Sequence, residues 1–237
     1  MSKPLYAIIA AMQPELDCLL EKLQERNDIL VGGFKFHKGR IDHCEVVLAL
    51  SGIGKVNAAI TTAIIIERFA PDYVINTGSA GGLKQGMEIG DVVIGTEVAH
   101  HDVDVTAFGY EIGQVPKLPS RYHASECLIQ AAKQAALGYK DNHTIHQGLI
   151  VSGDQFIGTT EQNMVIKKQF TDVLAVEMEA AAIAQTCHQL GIAFVIIRAI
   201  SDNGDAKASI NFDEFLQVAG KNSAQMVINL INSCGCF

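Results

Sequence analysis

Basic residues are scarce in this sequence. Lysine and arginine together number 18 against 26 aspartates and glutamates, a formal net charge of -8. A nucleic-acid surface needs a clustered excess of Lys and Arg, so nucleic acid is excluded as a partner. No apolar run approaches the ~18 residues needed to span a membrane, which excludes a membrane partner as well. Prolines number only five, and no Ser/Pro-rich linker, charge block or internal repeat divides the chain. Residues 1–237 are therefore expected to form a single domain. Charged residues make up 19% and hydrophobic ones 49%, so core material is ample and disorder is excluded.

Six cysteines, at 18, 44, 127, 187, 234 and 236, include no Cys-x-x-Cys pair. The four internal ones lie singly in apolar segments, the usage of reduced, buried thiols in a cytoplasmic protein rather than of a disulfide framework. The tail Cys234-Gly235-Cys236 is read as an exposed terminal accident, not a metal grip. Leu5 to Met12 superficially resembles a short leader. It ends in Gln13-Pro14-Glu15 without a convincing cleavage site, and an opening strand explains it better.

What the chain does contain is an alternation of β-branched apolar runs with helical patterns. Strands are expected at Leu5–Ala10, Glu45–Leu50, Tyr73–Asn76, Asp91–Ala99, Gln147–Val151, Leu174–Val176 and Phe194–Ile200. Helices are expected at Pro14–Glu25, Lys55–Phe69, Ala124–Ala136, Thr160–Gln169, Glu179–Leu190 and Asp213–Ile231. Gly33 to Asp42 reads as an extra strand or hairpin. The fold class is α/β, with a mixed, mostly parallel central sheet flanked by helices.

Two runs carry the chemistry. Ala193 to Ile197 is a continuous apolar run, as in a strand covered on both faces, and it leads directly into Arg198-Ala199-Ile200-Ser201-Asp202. Ligands of open α/β sheets sit beyond the carboxyl ends of such strands, which is where Asp202 falls. Val173 to Val176 repeats the pattern and delivers Glu177-Met178-Glu179. Either glutamate alone would pass as a solvated helix-start charge favoured by the helix dipole. Apolar surroundings on both sides argue against that, because burying a charge without purpose is costly.

Other motifs are weaker. Ser51-Gly52-Ile53-Gly54-Lys55 invites a phosphate-loop reading, but the spacing fails, since Ala49 and Val56 stand where a glycine and a hydroxyl are required. Asn76 to Gly82 is read as a glycine-rich loop that lets a ligand approach the main chain. In His100-His101-Asp102-Val103-Asp104 only His100, Asp102 and Asp104 would share a face of an extended segment. They are read as polar loop residues, and no metal is assigned.

Taken together, Ala10-Ala11-Met12, Ser51 to Lys55, Asn76 to Gly82, His101 to Tyr110, Val151-Ser152-Gly153-Asp154, Val176 to Ala180, Arg198 to Asp202 and Phe212-Asp213-Glu214-Phe215 resemble the nucleoside phosphorylase/nucleosidase superfamily over nearly the whole chain. The likeness is strongest to its bacterial thioadenosine-cleaving nucleosidases. The resemblance implies hydrolysis of the N-glycosidic bond of 5'-methylthioadenosine and S-adenosylhomocysteine, and of 5'-deoxyadenosine, in methionine salvage. It implies no cofactor. By position, Asp202 would be the general acid at adenine N7, Glu15 would activate the attacking water, and Glu179 would grip the ribose hydroxyls beside Met178. Ser79 and Arg198 would surround the water, with Gly81 and Met12 at the substrate. Phe156 and Ile157 would hold the base. Ile53, Val105, Phe108, Pro116 and Phe212 would form the 5'-thioalkyl pocket, with Val105, Phe108 and Pro116 coming from the neighbouring subunit of a homodimer.

Two departures from the family pattern stand out. Gln13-Pro14 replaces an acidic run, and Asn203-Gly204 replaces a more apolar pair, so that Gly204 is expected to loosen the loop that delivers Asp202. Three rivals remain at this point: a phosphorylase, a nucleosidase acting on aminodeoxyfutalosine, and a nucleoside-binding protein without activity. A phosphate dianion needs several convergent donors, usually arginines, and the chain has only five. That favours water as the nucleophile.

Overall fold

The computed structural model describes residues 3–137, 143–205 and 208–234. In chain order the elements are β1 (Leu5–Ala10), α1 (Gln13–Leu20), β2 (Gln24–Val31), β3 (Phe34–Ile41), β4 (Cys44–Leu50), α2 (Lys55–Phe69), β5 (Tyr73–Gly82), β6 (Val92–His100), β7 (Tyr122–His123), α3 (Glu126–Leu137), β8 (Ile145–Ser152), α4 (Thr160–Gln169), β9 (Val173–Glu177), α5 (Ala180–Leu190), β10 (Ala193–Asp202) and α6 (Ala208–Ser233). The aliphatic runs form β1, β4, β6 and β10, which are buried almost throughout, because helices cover both faces.

One mixed sheet holds all the strands. Its arm runs β2-β3-β4-β1-β5, antiparallel as far as β4 and parallel from there on. β5 then changes neighbour along its length: Tyr73 to Asn76 lie beside β1, whereas Gly81 and Gly82 lie antiparallel beside β9. Its other edge pairs in parallel with β10. From β10 the pairing continues through β6 and β8 to β9, so β5, β10, β6, β8 and β9 close into a ring. The open sheet expected from the alternation is thus closed at one end. Closure removes one exposed edge and brings the carboxyl ends of β5, β9 and β10 together.

Helix α6 packs on β10 and β5 with α1 and α3 beside it, and α2 packs on α5. The main core joins aliphatic residues of β1, β4, β5 and β10 to Met226, Val227 and Leu230 of α6. A smaller cluster, including Leu83, Val151, Ile157, Ile166 and Phe170, seats α4. Among the described residues no helix is long and apolar enough to cross a membrane.

Several expected boundaries move. Helix α1 stops at Leu20 instead of Glu25, because Gln24 onward is drawn into β2 by pairing with β3. β2 is an exposed edge strand, so it shows no apolar alternation by which sequence could reveal it. The glycine-rich segment to Gly82 is strand, not loop, since β10 and β9 both pair with it. β10 likewise runs on through Asp202, and α6 begins at Ala208, five residues before expected, placing Phe212 within the helix. Cys18, Cys44, Cys187 and Cys234 are free, whereas Cys127 near the start of α3 is disulfide-bonded, which corrects the expected set of reduced thiols. Cys236 lies outside the described residues.

Candidate active site

The change of neighbours along β5 creates the site. Between Asn76, beside β1, and Gly81, beside β9, one edge of β5 lacks a strand partner. Buried backbone groups must find other partners there. The Ser79 N–H donates to Glu15 Oε1 at 2.9 Å, joined by Ser79 Oγ at 3.0 Å. The Ser79 carbonyl accepts from Arg198 Nη1 at 3.1 Å.

Glu15 reaches this gap from the first turn of α1, which Pro14 starts directly after β1. Its Oε2 turns back to accept the N–H groups of Ala11 and Met12 at 3.1 and 3.0 Å. The fully buried carboxylate therefore takes four donors, the full capacity of its two oxygens.

Arg198 is 1% exposed, a position a guanidinium tolerates only when paired. Its Nη2 donates to Asn76 Oδ1 at 2.6 Å, to Glu177 Oε2 and to Glu179 Oε2 at 3.2 Å. Gly78 makes room: a β carbon there would lie 2.5 Å from Arg198 Nη1 and 2.8 Å from Glu15 Oε1. Glu177 also accepts from Ser152 Oγ and from the N–H groups of Glu179 and Ala180, at the positive end of α5. Glu179, the N-cap residue of α5, takes the Gly54 N–H at 2.8 Å. Burial, reinforced by the charge of Glu177 and opposed by Arg198, pushes the Glu179 carboxyl up to about 7.

Asp202 ends β10 and is 3% exposed. Its Oδ2 accepts from Ser201 Oγ and its Oδ1 from the Gly204 N–H, each at 2.9 Å. Burial raises its pKa, and Asp205 adds to the rise, while the two hydrogen bonds oppose it. Gly204 therefore anchors the Asp202 loop, contrary to the loosening expected of it.

These groups line a cleft of about 240 Å³, close to the ~300 Å³ lower end of small-molecule pockets. Glu15, Ser79, Gly81, Glu179, Arg198 and Asp202 all reach it, as do Met12, Ile53, Phe156, Ile157, Met178 and Phe212. Phe156 and Phe212 meet edge to face, with centroids 5.7 Å apart. Val105, Phe108 and Pro116 do not line this cleft within one chain; Phe108 stands 82% exposed. Glu177 and Ser201 are lining residues to which the sequence assigned no role. The apolar flanks of Glu177 were the signal for it, whereas Ser201 had none beyond adjacency to Asp202.

The weaker motifs resolve differently. The Lys55 ammonium is held by Asp102 at 2.5 Å, and its N–H by Asp154 Oδ1 at 2.7 Å, so the loop after β4 is latched to its neighbours. His100 bonds Gln185, and Asp104 bonds Thr106, so the polar run points to separate partners. No group of three or more His, Cys, Asp or Glu among the described residues is arranged to hold a metal ion.

The family model described as the Phosphorylase superfamily matches residues 5–232. The chain belongs to this superfamily. Within the phosphorylase superfamily it is 52% identical over 221 residues to the 5'-methylthioadenosine/S-adenosylhomocysteine nucleosidase of an Exiguobacterium species, covering 93% of this chain and 94% of that protein. The crystal structure of the same-named nucleosidase of Neisseria meningitidis, in complex with methylthio-immucillin-A, superposes with a TM-score of 0.95. It shares 56% identity over 97% of this chain and 99% of that one. The Colwellia psychrerythraea enzyme in complex with adenine gives 0.97 at 44% identity, over 98% and 96% of the two chains. The mixed α/β fold with helices on its central sheet is the one these superfamily members share.

Proposed function

We propose that this chain hydrolyses the N-glycosidic bond of 5'-methylthioadenosine and S-adenosylhomocysteine, releasing adenine and the corresponding 5-thioribose. The observation that carries the reading is one cleft holding Asp202, with its carboxyl raised, together with Glu15, Glu179 and Arg198. The cleft sits in a chain about half identical to proteins named for that reaction.

Breaking the bond asks for a neutral leaving group, a tolerated oxocarbenium-like sugar and an oriented nucleophile. Asp202 gives its proton to N7 as the C1'–N9 electron pair withdraws into adenine. A positioned acid is worth ~10²–10⁴-fold. The carboxylates of Glu179 and Glu15 favour the positive charge that develops on the sugar. Water adds at C1', and Glu15 takes its proton. Ser79 Oγ is the one rotatable donor on Glu15, and turning it frees a lone pair for that water. Arg198 keeps Glu177 and Glu179 in place. The chemistry needs neither metal nor cofactor.

Arg198 also speaks against phosphate as the nucleophile. It is the one arginine lining the cleft, and both of its terminal nitrogens are engaged by protein acceptors. The test is adenine release from methylthioadenosine with and without inorganic phosphate. Equal rates with free methylthioribose support hydrolysis; strict phosphate dependence with a sugar 1-phosphate overturns it. Including S-adenosylhomocysteine, 5'-deoxyadenosine and aminodeoxyfutalosine in the same assay ranks the substrates.

The active unit in this reading is a homodimer in the cytoplasm. Phe108, with Val105 and Pro116, would complete the thioalkyl end of the partner's cleft beside Ile53 and Phe212.

A further inference from the structure

Asn163 of α4 stands outside the cleft lining, yet it is 8% exposed and its side chain reaches the loop after β10. Its Nδ2 donates to the carbonyls of both Asn203 and Gly204, at 3.2 and 3.1 Å. Gly204 holds φ +57°, a left-handed conformation that glycine adopts without steric cost. In that conformation its N–H meets Asp202 Oδ1 at 2.9 Å. A β carbon on Gly204 would lie 3.1 Å from Leu83 Cδ2 and 3.7 Å from Ile157 Cγ2. The turn is therefore wedged between Asn163, Leu83 and the base-binding segment. Asn163 lies one helical turn beyond Thr159, whose hydroxyl caps α4 directly after that segment.

We infer that Asn163 is a positioning residue for Asp202: its amide locks the Asn203–Gly204 turn so that the Gly204 N–H holds the Asp202 carboxyl at the cleft, and it ties that turn to Phe156-Ile157. This rests on the role proposed for Asp202 as the acid. The lock gives the unusual Asn203-Gly204 pair a reason, since two adjacent carbonyls turned to the same side suit a double donor on the facing helix. The surroundings of Asp202 are otherwise weakly charged. β5 presents Gly81, β9 presents Val176, and Asp205 is the nearby charge that acts on it. The donated N–H favours the ionised acid, so losing it raises the pKa of Asp202 further.

The experiment compares pH profiles of kcat and KM with methylthioadenosine for wild type, Asn163→Leu, Asn163→Asp, Gly204→Ala and Asp202→Asn. Leu keeps the volume and Asp the shape, but neither can donate. Both should lower kcat about tenfold, the worth of one hydrogen bond to a charged group. KM should stay near wild type, and the alkaline limb of the kcat profile should move to higher pH. Gly204→Ala breaks the lock from the other side, and should move the same limb even if the Asn163 variants fold poorly. Unchanged limbs in all three variants, or kcat and KM worsening together with no shift, overturn the inference. Asp202→Asn separates the two levels. If it stays within a few-fold of wild type, the acid reading itself fails; if it is inactive while Asn163→Leu behaves as wild type, only the positioning role fails.

Discussion

Glu179 is the residue whose environment makes the most specific demand. It shares Arg198 with Glu177, and burial, reinforced by the charge of Glu177, drives its carboxyl up despite the guanidinium. Its carboxyl is raised to about 7 against an ordinary value of 4.5. A raised carboxyl contributes stability fully below the unfolded pKa and loses it as pH rises through the folded one. Wild type should therefore lose this contribution as pH rises from near 5 to near 8, through about 7, while the buried neutral His100 and His101 contribute in the opposite direction. Glu179→Gln should flatten that slope, and leave the variant at least as stable as wild type above pH 8. The same substitution should remove an acidic limb near pH 7 from kcat/KM and cost most of the activity. Calorimetry across that range, paired with rates, checks both. Melting temperatures of wild type and Glu179→Gln that run parallel across that range would contradict the assignment.

At the scale of elements, β5 does most to build the site, through the gap between its two neighbours and through Gly78. A Gly78→Ala β carbon would meet the ends of two side chains, not backbone, so the fold should survive while Arg198 and Glu15 are displaced. Displacement of about 1 Å at reacting groups costs roughly 10²-fold, so kcat should fall by that order, and the melting temperature should fall as well, because Gly78 holds φ +153° and a buried guanidinium is pushed from its partners. A variant of near wild-type rate would show that the gap tolerates movement. The elements also mark what could be read without coordinates. β1, β6 and β10 were legible because aliphatic runs have a single use in a covered sheet. β2 was not: Gln24 to Asp28 are exposed, and only pairing with β3 makes them strand. Gly78 to Gly82 look like a loop because small residues signal turns, yet here they are strand residues kept small by the side chains that cross them.

For the whole molecule, the prediction of a dimer rests on the exposed Phe108 beside the apolar Val103 and Val105, since apolar patches of this kind mark contact surfaces. Isologous dimers bury such segments symmetrically, which would bring each Phe108 to the other subunit's cleft. Sedimentation should find a dimer at assay concentrations. Phe108→Ala should weaken binding of methylthioadenosine more than that of adenine, because only the former has a thioalkyl end. A fully active monomer would contradict this arrangement.

Sequence by itself determined the layered α/β class and marked acids standing in apolar surroundings, while their assignment to glycosidic cleavage came from the family resemblance. Apolar runs, helical periodicity and isolated acids in apolar surroundings are local properties, and each has few physical solutions. Tertiary structure decided how those acids behave. The split edge of β5 gives Glu15 donors from Ser79, and burial beside Glu177 raises Glu179. The Asn163 contact turns a loop that looked loose into an anchored one. Each depends on residues far apart in the chain being packed together, where distance and burial set the strength of a charge.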